Sequence, residues 1–439
     1  MTRLPRQRLV RFALPGFLLA ALAACGAPVV SPAVSPSVSP ATGPSELGPA
    51  SPPVSAPPSV APVIPGLTWI TAPDVERPPD MSAAEPSIPA VGPGGGLGHP
   101  GHFPGQGYLV DVTDGPAGLV AAGYAFPGWH ATAWTSSDGN RWVRHVVDER
   151  DDTFALAIAA TASEYVAVGR AGGDPAAWTS PDGMTWRRAA RDLPETGLET
   201  RLTTVAAGDG GIVAGGWAAS PTAPTSSRLW WSADGAAWAV ALMGSGDVAT
   251  GEELRVTSIA AGPAGWVAVG TVGPEWDPAG SIAWTSPDGR SWTRAPDAAA
   301  LHSGRMASVT ATPSGWLAVG SDLDDRQGVS WVSTDGLDWT VSAPQAALDN
   351  HGLKIRMTDA VARDGRLVAV GNYLFGTQYG NATSWTSGDG LTWTRAPRAT
   401  PLNQGEMLAL TPGGPGYVAV GTFGAPDDYV PTVWLSPRD

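Results

Sequence analysis

Cysteine is almost missing from the 439 residues: Cys25 is the only one, so no internal disulfide can form and any exported domain must be held by packing alone. Lysine is as scarce, with Lys354 alone, which leaves Schiff-base chemistry one candidate and no support. Positive charge is short overall. The formal charge is −14, and setting aside the four arginines of residues 1–24 takes 26 basic residues to 22 against 40 acidic ones, or −18. Such a surface repels phosphate backbones and anionic lipid, which excludes nucleic acid as a partner. Beyond the N-terminus no apolar run is long enough for a membrane helix. Neither a Gly-x-Ser-x-Gly elbow nor a phosphate-cradling glycine loop is present. His99-Pro100-Gly101-His102 has too few ligands nearby for zinc, and no metal or cofactor is implied. Asp322-Leu323-Asp324-Asp325 lacks the glycine and distal glutamate of a calcium loop and reads as a solvated turn.

What is present begins with an address. Arg3, Arg6, Arg8 and Arg11 precede an apolar run from Phe12 to Ala21, followed by Leu22-Ala23-Ala24-Cys25, the layout of a cleavable export signal over residues 1–24. Leu-Ala-Ala-Cys resembles the bacterial lipobox, which implies lipidation at Cys25 and a place in the cell envelope, outside the cytoplasm, with lipid as the sole membrane anchor. Residues 25–65 are dominated by Pro, Ser, Ala and Val. Proline fixes φ and removes donors, so this stretch reads as an extended tether.

From residue 66 to 439 the chain repeats itself. Trp-x-Ser-x-Asp-Gly-x-x-Trp starts at Trp134, Trp178, Trp230, Trp284, Trp331 and Trp385, with a truncated copy at Trp434, at spacings of 44 to 54 residues. A second pattern, Val-Ala-Val-Gly or a near variant, ends at Gly123, Gly169, Gly216, Gly270, Gly320, Gly371 and Gly421. Alternating copies at this period predict modules that must stack to bury their faces. Ser180-Pro181-Asp182-Gly183 is turn chemistry, with glycine supplying the left-handed position, so each such motif predicts a hairpin. The Val-Ala-Val run is apolar on both faces, as expected of a strand covered on both sides. Four strands per period, arranged radially, predict an all-β fold: a seven-bladed β-propeller of four-stranded antiparallel blades. Closure is written in the sequence as well. The last copy stops at Asp439 without its outer strand, while Gly66-Leu67-Thr68-Trp69 repeats Gly390-Leu391-Thr392-Trp393. An N-terminal strand is therefore expected to complete the last blade and leave no open edge.

Ser-x-Asp-Gly-x-x-Trp resembles the Asp-box, or BNR, repeat of sialidase-like propellers, although each copy has one residue fewer between Asp and Gly than the usual form. In that family the motif is structural, so the resemblance implies fold rather than activity.

The connections on one face are short and uniform, whereas those on the other vary and collect Trp129, Trp217, Trp276, Tyr373, Phe375, Tyr379 and Tyr429. Variable loops on a rigid scaffold are where binding residues sit. Aligning the blades by the Val-Ala-Val-Gly glycine places Tyr108, Phe154, Arg201, Arg255, Arg305, Arg356 and Glu406 in one column at the start of the innermost strand. Arg201, Arg255, Arg305 and Arg356 are thus expected to ring the channel mouth, where planar guanidinium groups suit a carboxylate. The alternative is that each pairs with an acid such as Glu199, Glu253 or Asp359 and fastens neighbouring blades. Two functions follow. One is a monomeric binding platform for a glycan, a peptide or an envelope protein. The other, implied by the sialidase resemblance, is an exo-α-sialidase-like glycoside hydrolase with Tyr108 and Glu406 as the nucleophile and base pair, although the Arg-Ile-Pro motif of that family is missing.

Overall fold

The computed structural model describes residues 66–78, 106–189, 199–219, 224–243, 252–275, 277–375, 379–424 and 429–437. The expected signal, Cys25 and the tether lie outside the described residues, as do His99 and His102. Among the described residues no helix is long and apolar enough to cross a membrane.

Blade I contains β3 (Gly107–Gly115), β4 (Gly118–Ala125), β5 (His130–Ser136) and β6 (Arg141–Val146). Blade II contains β7 (Thr153–Ala160), β8 (Tyr165–Ala171), β9 (Asp174–Ser180) and β10 (Arg187–Arg188). Blade III contains β11 (Glu199–Gly208), β12 (Gly211–Ala219), β13 (Ser226–Ser232) and β14 (Trp238–Val240), and blade IV contains β15 (Leu254–Gly262), β16 (Gly265–Val272), β17 (Gly280–Ser286) and β18 (Thr293–Arg294). Blade V contains β19 (Arg305–Thr312), β20 (Gly315–Ser321), β21 (Gly328–Ser333) and β22 (Thr340–Val341). Blade VI contains β23 (Ile355–Arg363), β24 (Arg366–Phe375), β25 (Tyr379–Ser387) and β26 (Thr394–Arg395). Blade VII contains β27 (Gly405–Gly413), β28 (Gly416–Phe423) and β29 (Val430–Pro437), and its fourth strand is β1 (Ile70–Thr71) from the N-terminal side. The protein is a seven-bladed β-propeller of antiparallel four-stranded blades, as its repeats predict. The first strands of successive blades touch all the way round, and β27 meets β3 to close the circle.

Closure rests on a tryptophan in its repeat position. Ile70 pairs with Leu435 and Thr71 with Trp434, and the Ala72 N–H donates to the Val433 carbonyl at 2.9 Å. Trp69 is buried, and its indole N–H donates to Ser384 Oγ at 2.8 Å, just as that of Trp393 donates to Ser330 Oγ at 2.9 Å one blade earlier. The chain then goes further than its sequence suggests. A two-residue strand, β2 (Asp74–Val75), adds in parallel to the outer edge of blade I, and the Glu76 carbonyl accepts the Trp134 indole N–H at 2.8 Å. One short segment thereby latches the last blade and the first.

The core is not inside the blades but between them. Seven apolar clusters occur, one at each junction, and each holds a first-strand, a Val-Ala-Val and a tryptophan contribution from two neighbours. In β16, Val267 and Val269 enter the junction with blade V while Ala268 enters the one with blade III, which is the physical content of a strand apolar on both faces. The first Trp of every motif, from Trp134 to Trp434, is fully buried.

The hairpin turns carry their own hydrogen bonds. In Ser180-Pro181-Asp182-Gly183, Ser180 Oγ accepts the Gly183 N–H at 2.8 Å, and Asp182 Oδ1 accepts the N–H groups of Thr185 at 2.8 Å and Met184 at 2.9 Å. These bonds hold the Asp182 carboxyl below the usual carboxylate range. The Trp186 indole closes the motif on the Gly183 carbonyl at 2.9 Å, with Gly183 at φ 73°.

Candidate functional site

The residue column at the channel mouth is aimed by a bulge. In all seven blades the register between first and second strand slips by one residue just after the column position, for example between Leu109 and Asp111 or between Val256 and Ser258. The slip drives the carbonyl of the column residue against the Val-Ala-Val-Gly glycine. A Cβ on that glycine would stand 1.8–2.1 Å from the carbonyl oxygen of Tyr108, Phe154, Arg201, Arg255, Arg305, Arg356 or Glu406, so only glycine is accommodated. The repeat glycine and the column are two halves of one device.

Around the mouth the column divides into an aromatic arc and a cationic arc. In blades I, II and VII, Tyr108 stacks on its cross-strand partner Tyr124 with ring centroids 4.8 Å apart, and meets Tyr429 edge-on at 5.5 Å. Tyr124 meets Phe154 at 4.7 Å, and Trp129 closes over the group. Burial raises the Tyr124 phenol well above its ordinary value. Arg170 caps Phe154 at 4.1 Å and pairs with Asp152 at 3.0 Å.

In blades III to VI stand the four arginines. Arg201 lies 5.1 Å above the Trp217 ring, and Arg255 lies 5.8 Å from the same ring. Arg255 donates to Glu253 Oε2 at 3.3 Å, to the Gly273 carbonyl at 2.8 Å and to Thr225 Oγ1 of blade III at 3.4 Å. Arg305 and Arg356 converge on Asp325, the second at 3.1 Å. The segment 322–325 is a turn with Leu323 and Asp324 exposed, as expected, but Asp325 departs from that reading at only 3 % exposed: its carboxylate is buried because two guanidinium groups and the Ser321 hydroxyl, at 2.6 Å, compensate its desolvation. The expected pairing with Glu253 is seen. Asp359 takes no arginine; its partners are the Ser308 hydroxyl and the backbone N–H groups of Ala360 and Leu410. The Glu199 side chain lies outside the described residues, as do Trp276 and the side chains of Phe375 and Tyr379. Tyr373, expected among the loop aromatics, is buried in the junction of blades V and VI, with Arg395 4.3 Å from its ring.

A cavity of about 300 Å³ opens within the cationic arc, lined by Trp217, Arg255, Arg305, Thr203, Thr257 and Glu275 among others. Thr203 and Thr257 are bulge residues whose hydroxyls donate to the carbonyls of Val256 and Met306 in the next blade, which fixes the cavity floor. Two column arginines thus meet a tryptophan wall in one space. Tyr108 and Glu406 are placed differently. Tyr108 fills the junction of blades VII and I beside Tyr429, whereas Glu406 faces Gly380 and Arg356 at the junction of blades VI and VII. Burial raises the Glu406 carboxyl above its ordinary value and Arg356 opposes the rise.

Deeper in the channel a feature missed in sequence ties the blades together. The residue after each bulge is Asp111, Ala157, Thr204, Ser258, Ser308, Asp359 or Ala409, and four of the polar ones accept a backbone N–H from the next blade. Asp111 accepts the Ile158 N–H at 2.8 Å, Thr204 that of Ile259 at 3.1 Å, Ser258 that of Val309 at 3.1 Å and Asp359 that of Leu410 at 2.8 Å. Asp, Ser and Thr share only the acceptor oxygen, so no single letter repeats. Burial pushes Asp111 up to about 7 and Asp359 up to about 6, against the lowering effect of their N–H donors, and Asp359 adds to the rise at Asp111. A carboxyl raised on folding contributes stability that is complete below its unfolded value, near 4, and lost as pH climbs through its folded one. Stability, and with it the melting temperature, is therefore expected to fall between about pH 4 and about pH 8, each carboxyl contributing at most about 1.4 kcal/mol for every pH step of one. Replacing both by serine, the residue that blades IV and V carry there, should flatten that slope. A wild-type protein equally stable at both ends of the range would contradict the assignment.

No protein-family model matches the chain, and no curated protein does. Among solved structures it is similar to the WD40 β-propeller domain of Doa1, with 10% identity, a TM-score of 0.44, and coverage of 74% of this chain and 96% of that one. It is also similar to the Trypanosoma rangeli sialidase, at 10% identity and a TM-score of 0.43, over 75% of this chain and 54% of the sialidase. An exo-β-1,3-galactanase from Phanerochaete chrysosporium follows at 10% identity and 0.38, over 63% of this chain and 58% of that one. The class is set by the molecule's own seven sheets: a closed propeller with a divided ring of aromatic and arginine side chains at one mouth.

Proposed function

We propose that the protein is an extracytoplasmic binding platform, lipid-anchored at Cys25, whose loop-bearing face takes up a carboxylate-bearing ligand on a glycan, a peptide or an envelope protein. The observation that carries this reading is the meeting of Arg255, Arg305 and Trp217 in one cavity, with Arg201 on the same ring. Guanidinium groups already braced by Glu253 and Asp325 are held in place before a ligand arrives, and the aromatic wall offers a ring face beside them. Arg305 and Arg356 share the one carboxylate of Asp325, so that trio keeps a net positive charge in an acidic protein. Calorimetric titration with N-acetylneuraminate, glucuronate and neutral glucose tests the site. Carboxylate sugars should bind saturably, glucose should not, and Arg305→Gln should weaken binding about tenfold, the equivalent of about 1.4 kcal/mol. Indifference to the carboxylate would end this reading.

The hydrolase reading draws on Glu406, whose carboxyl, raised by burial, is a stronger base than an ordinary carboxylate and so suits the base role beside a Tyr108 nucleophile. It requires Tyr108 to share a substrate with a group on the far side of blade VII. A fluorogenic sialoside assayed with the wild type and Glu406→Gln decides; turnover abolished by that substitution would favour hydrolysis over binding alone. The anchor has its own test. Mass spectrometry of the protein from the envelope should show a diacylglyceryl group at Cys25, and Cys25→Ser should release the protein from membranes; a full-length unmodified N-terminus would refute it.

A further inference from the structure

The ring of loops around the channel mouth is broken at blade II. Only Gly172 and Gly173 stand between β8 and β9, whereas three to seven residues separate the second and third strands of the other six blades. A Cβ added to either glycine would meet nothing within 4 Å, so the rim dips there to bare backbone. Tryptophan stands on both sides of the dip. Trp129 of blade I is held at φ 55°, a left-handed backbone unfavourable for a bulky residue, by the Asp152 and Thr153 N–H groups, which donate to the Gly128 and Trp129 carbonyls at 2.8 Å. On the other side the Thr200 N–H of blade III donates to the Gly173 carbonyl at 3.0 Å, and the next residue, Arg201, pairs across its strands with Trp217. The floor is Phe154 with its cross-strand partner Arg170, and both are half-buried.

Arg170 is a guanidinium that the column alignment passes over, because it comes from the second strand of its blade. Its bonds are nonetheless those of Arg255. Each donates to a glycine carbonyl at 2.8 Å, Gly172 or Gly273, and at 3.3 Å to the acid two residues before the column position, Asp152 or Glu253. Both of these arginines are matched by an acid of their own, whereas Arg305 and Arg356 share Asp325, so among these groups the excess positive charge lies in blades V and VI. Blade II offers ring faces and hydrogen-bonding groups without net charge. A neutral sugar presents the complement, with hydroxyls that donate and accept and apolar C–H faces. An extended peptide has less to recognise: β8 and β9 are each paired on both sides, the Gly172 N–H donates to the Asp152 carbonyl, and the carbonyls of Gly172 and Gly173 take Arg170 and Thr200.

We propose that the ligand is an oligosaccharide with one acidic sugar at its end, an assignment that rests on the carboxylate reading of the cationic cavity and adds the remainder of the molecule. The acidic ring lies in the cavity walled by Trp217. The neutral sugars joined to it leave the mouth over Gly172 and Gly173, with their faces on Phe154 and Trp129 and their hydroxyls on Arg170 and Asp152. The dip is what lets a chain longer than one residue pass the rim.

Calorimetry on the intact protein tests this by comparing glucuronate with aldotriouronic acid, in which one glucuronate is joined to two neutral xyloses. The trisaccharide should bind about tenfold more tightly. Arg170→Gln and Gly173→Leu should each remove most of that gain and leave the affinity for glucuronate itself unchanged. Gly173 lies outside the left-handed region, so leucine fills the dip without backbone strain, and Arg170→Gln reads the same gain independently. Binding of neither sugar would end the carboxylate reading and this one with it. Glucuronate bound as tightly as the trisaccharide, or a gain that survives both substitutions, would overturn this assignment alone. So would an equal gain of N-acetyl-Glu-Ala-Ala-amide over N-acetyl-Glu-amide, lost in the same variants, which would put a peptide over the dip instead.

Discussion

A chain beginning at residue 76 should lose on the order of 5 kcal/mol of stability or fail to fold as a monomer. Truncation removes β1 and β2 together. The outer edge of β29 then exposes unpaired N–H and C=O groups, which invites pairing with a second chain. Trp69 leaves with them, opening a void beside Trp434 in the junction of blades VI and VII. Trp69→Ala alone should cost about 3–5 kcal/mol, the usual range for a buried aromatic truncated to alanine. Denaturant unfolding of the two variants separates the ring from the ladder. A truncated chain that remains monomeric and unfolds at the wild-type midpoint would mean that blade VII is complete without its N-terminal strand.

Trp284→Ala is expected to cost about 3–5 kcal/mol, for a reason that differs from the first. Trp284 is fully buried between blades III and IV, in a cluster that includes Val213, Leu229, Val256 and Trp266. Packing at that junction cannot relax independently, because Thr203 and Thr204 clip the same two blades together at the channel through the Val256 carbonyl and the Ile259 N–H. The cavity left by the indole should therefore stay open. A loss below about 1 kcal/mol would show that the ring is not wedged between sheets. Arg290→Ala, by contrast, removes a guanidinium that lies over the Trp231 ring at 3.8 Å, and should change stability by less than about 1 kcal/mol.

The blade count, the hairpin turns and the closing strand were legible because each is enforced at every repeat by backbone geometry, and geometry of that kind selects the same letters. Gly must sit where the bulged carbonyl of the first strand arrives. Asp must sit where two turn N–H groups point. The column of Tyr108, Phe154, four arginines and Glu406 could be aligned for the same reason, since it precedes the repeat glycine at fixed distance. What the sequence hid has physical causes too. The channel clips use Asp, Thr or Ser for one task, so the column looks random. Asp325 stands in an acidic string but folds inward, because its partners Arg305 and Arg356 lie 20 and 31 residues away. Of the aromatic arc, Tyr108, Phe154, Trp129 and Tyr429 were legible on this face, whereas Tyr124, which joins Tyr108 to Phe154, has no repeat signature of its own. β2 is two residues long and joins a parallel edge, which no periodicity announces.

Both proposed sites presuppose a rigid disc whose two chain ends meet. Native-state hydrogen exchange reads this in the intact protein: the amides of Ile70 to Ala72 and their β29 partners should be protected alongside the inner strands of blade VII and exchange only when the whole ring opens. Exchange of those amides at the rate of an unstructured chain, with the rest of the propeller still protected, would contradict closure by the N-terminal strand.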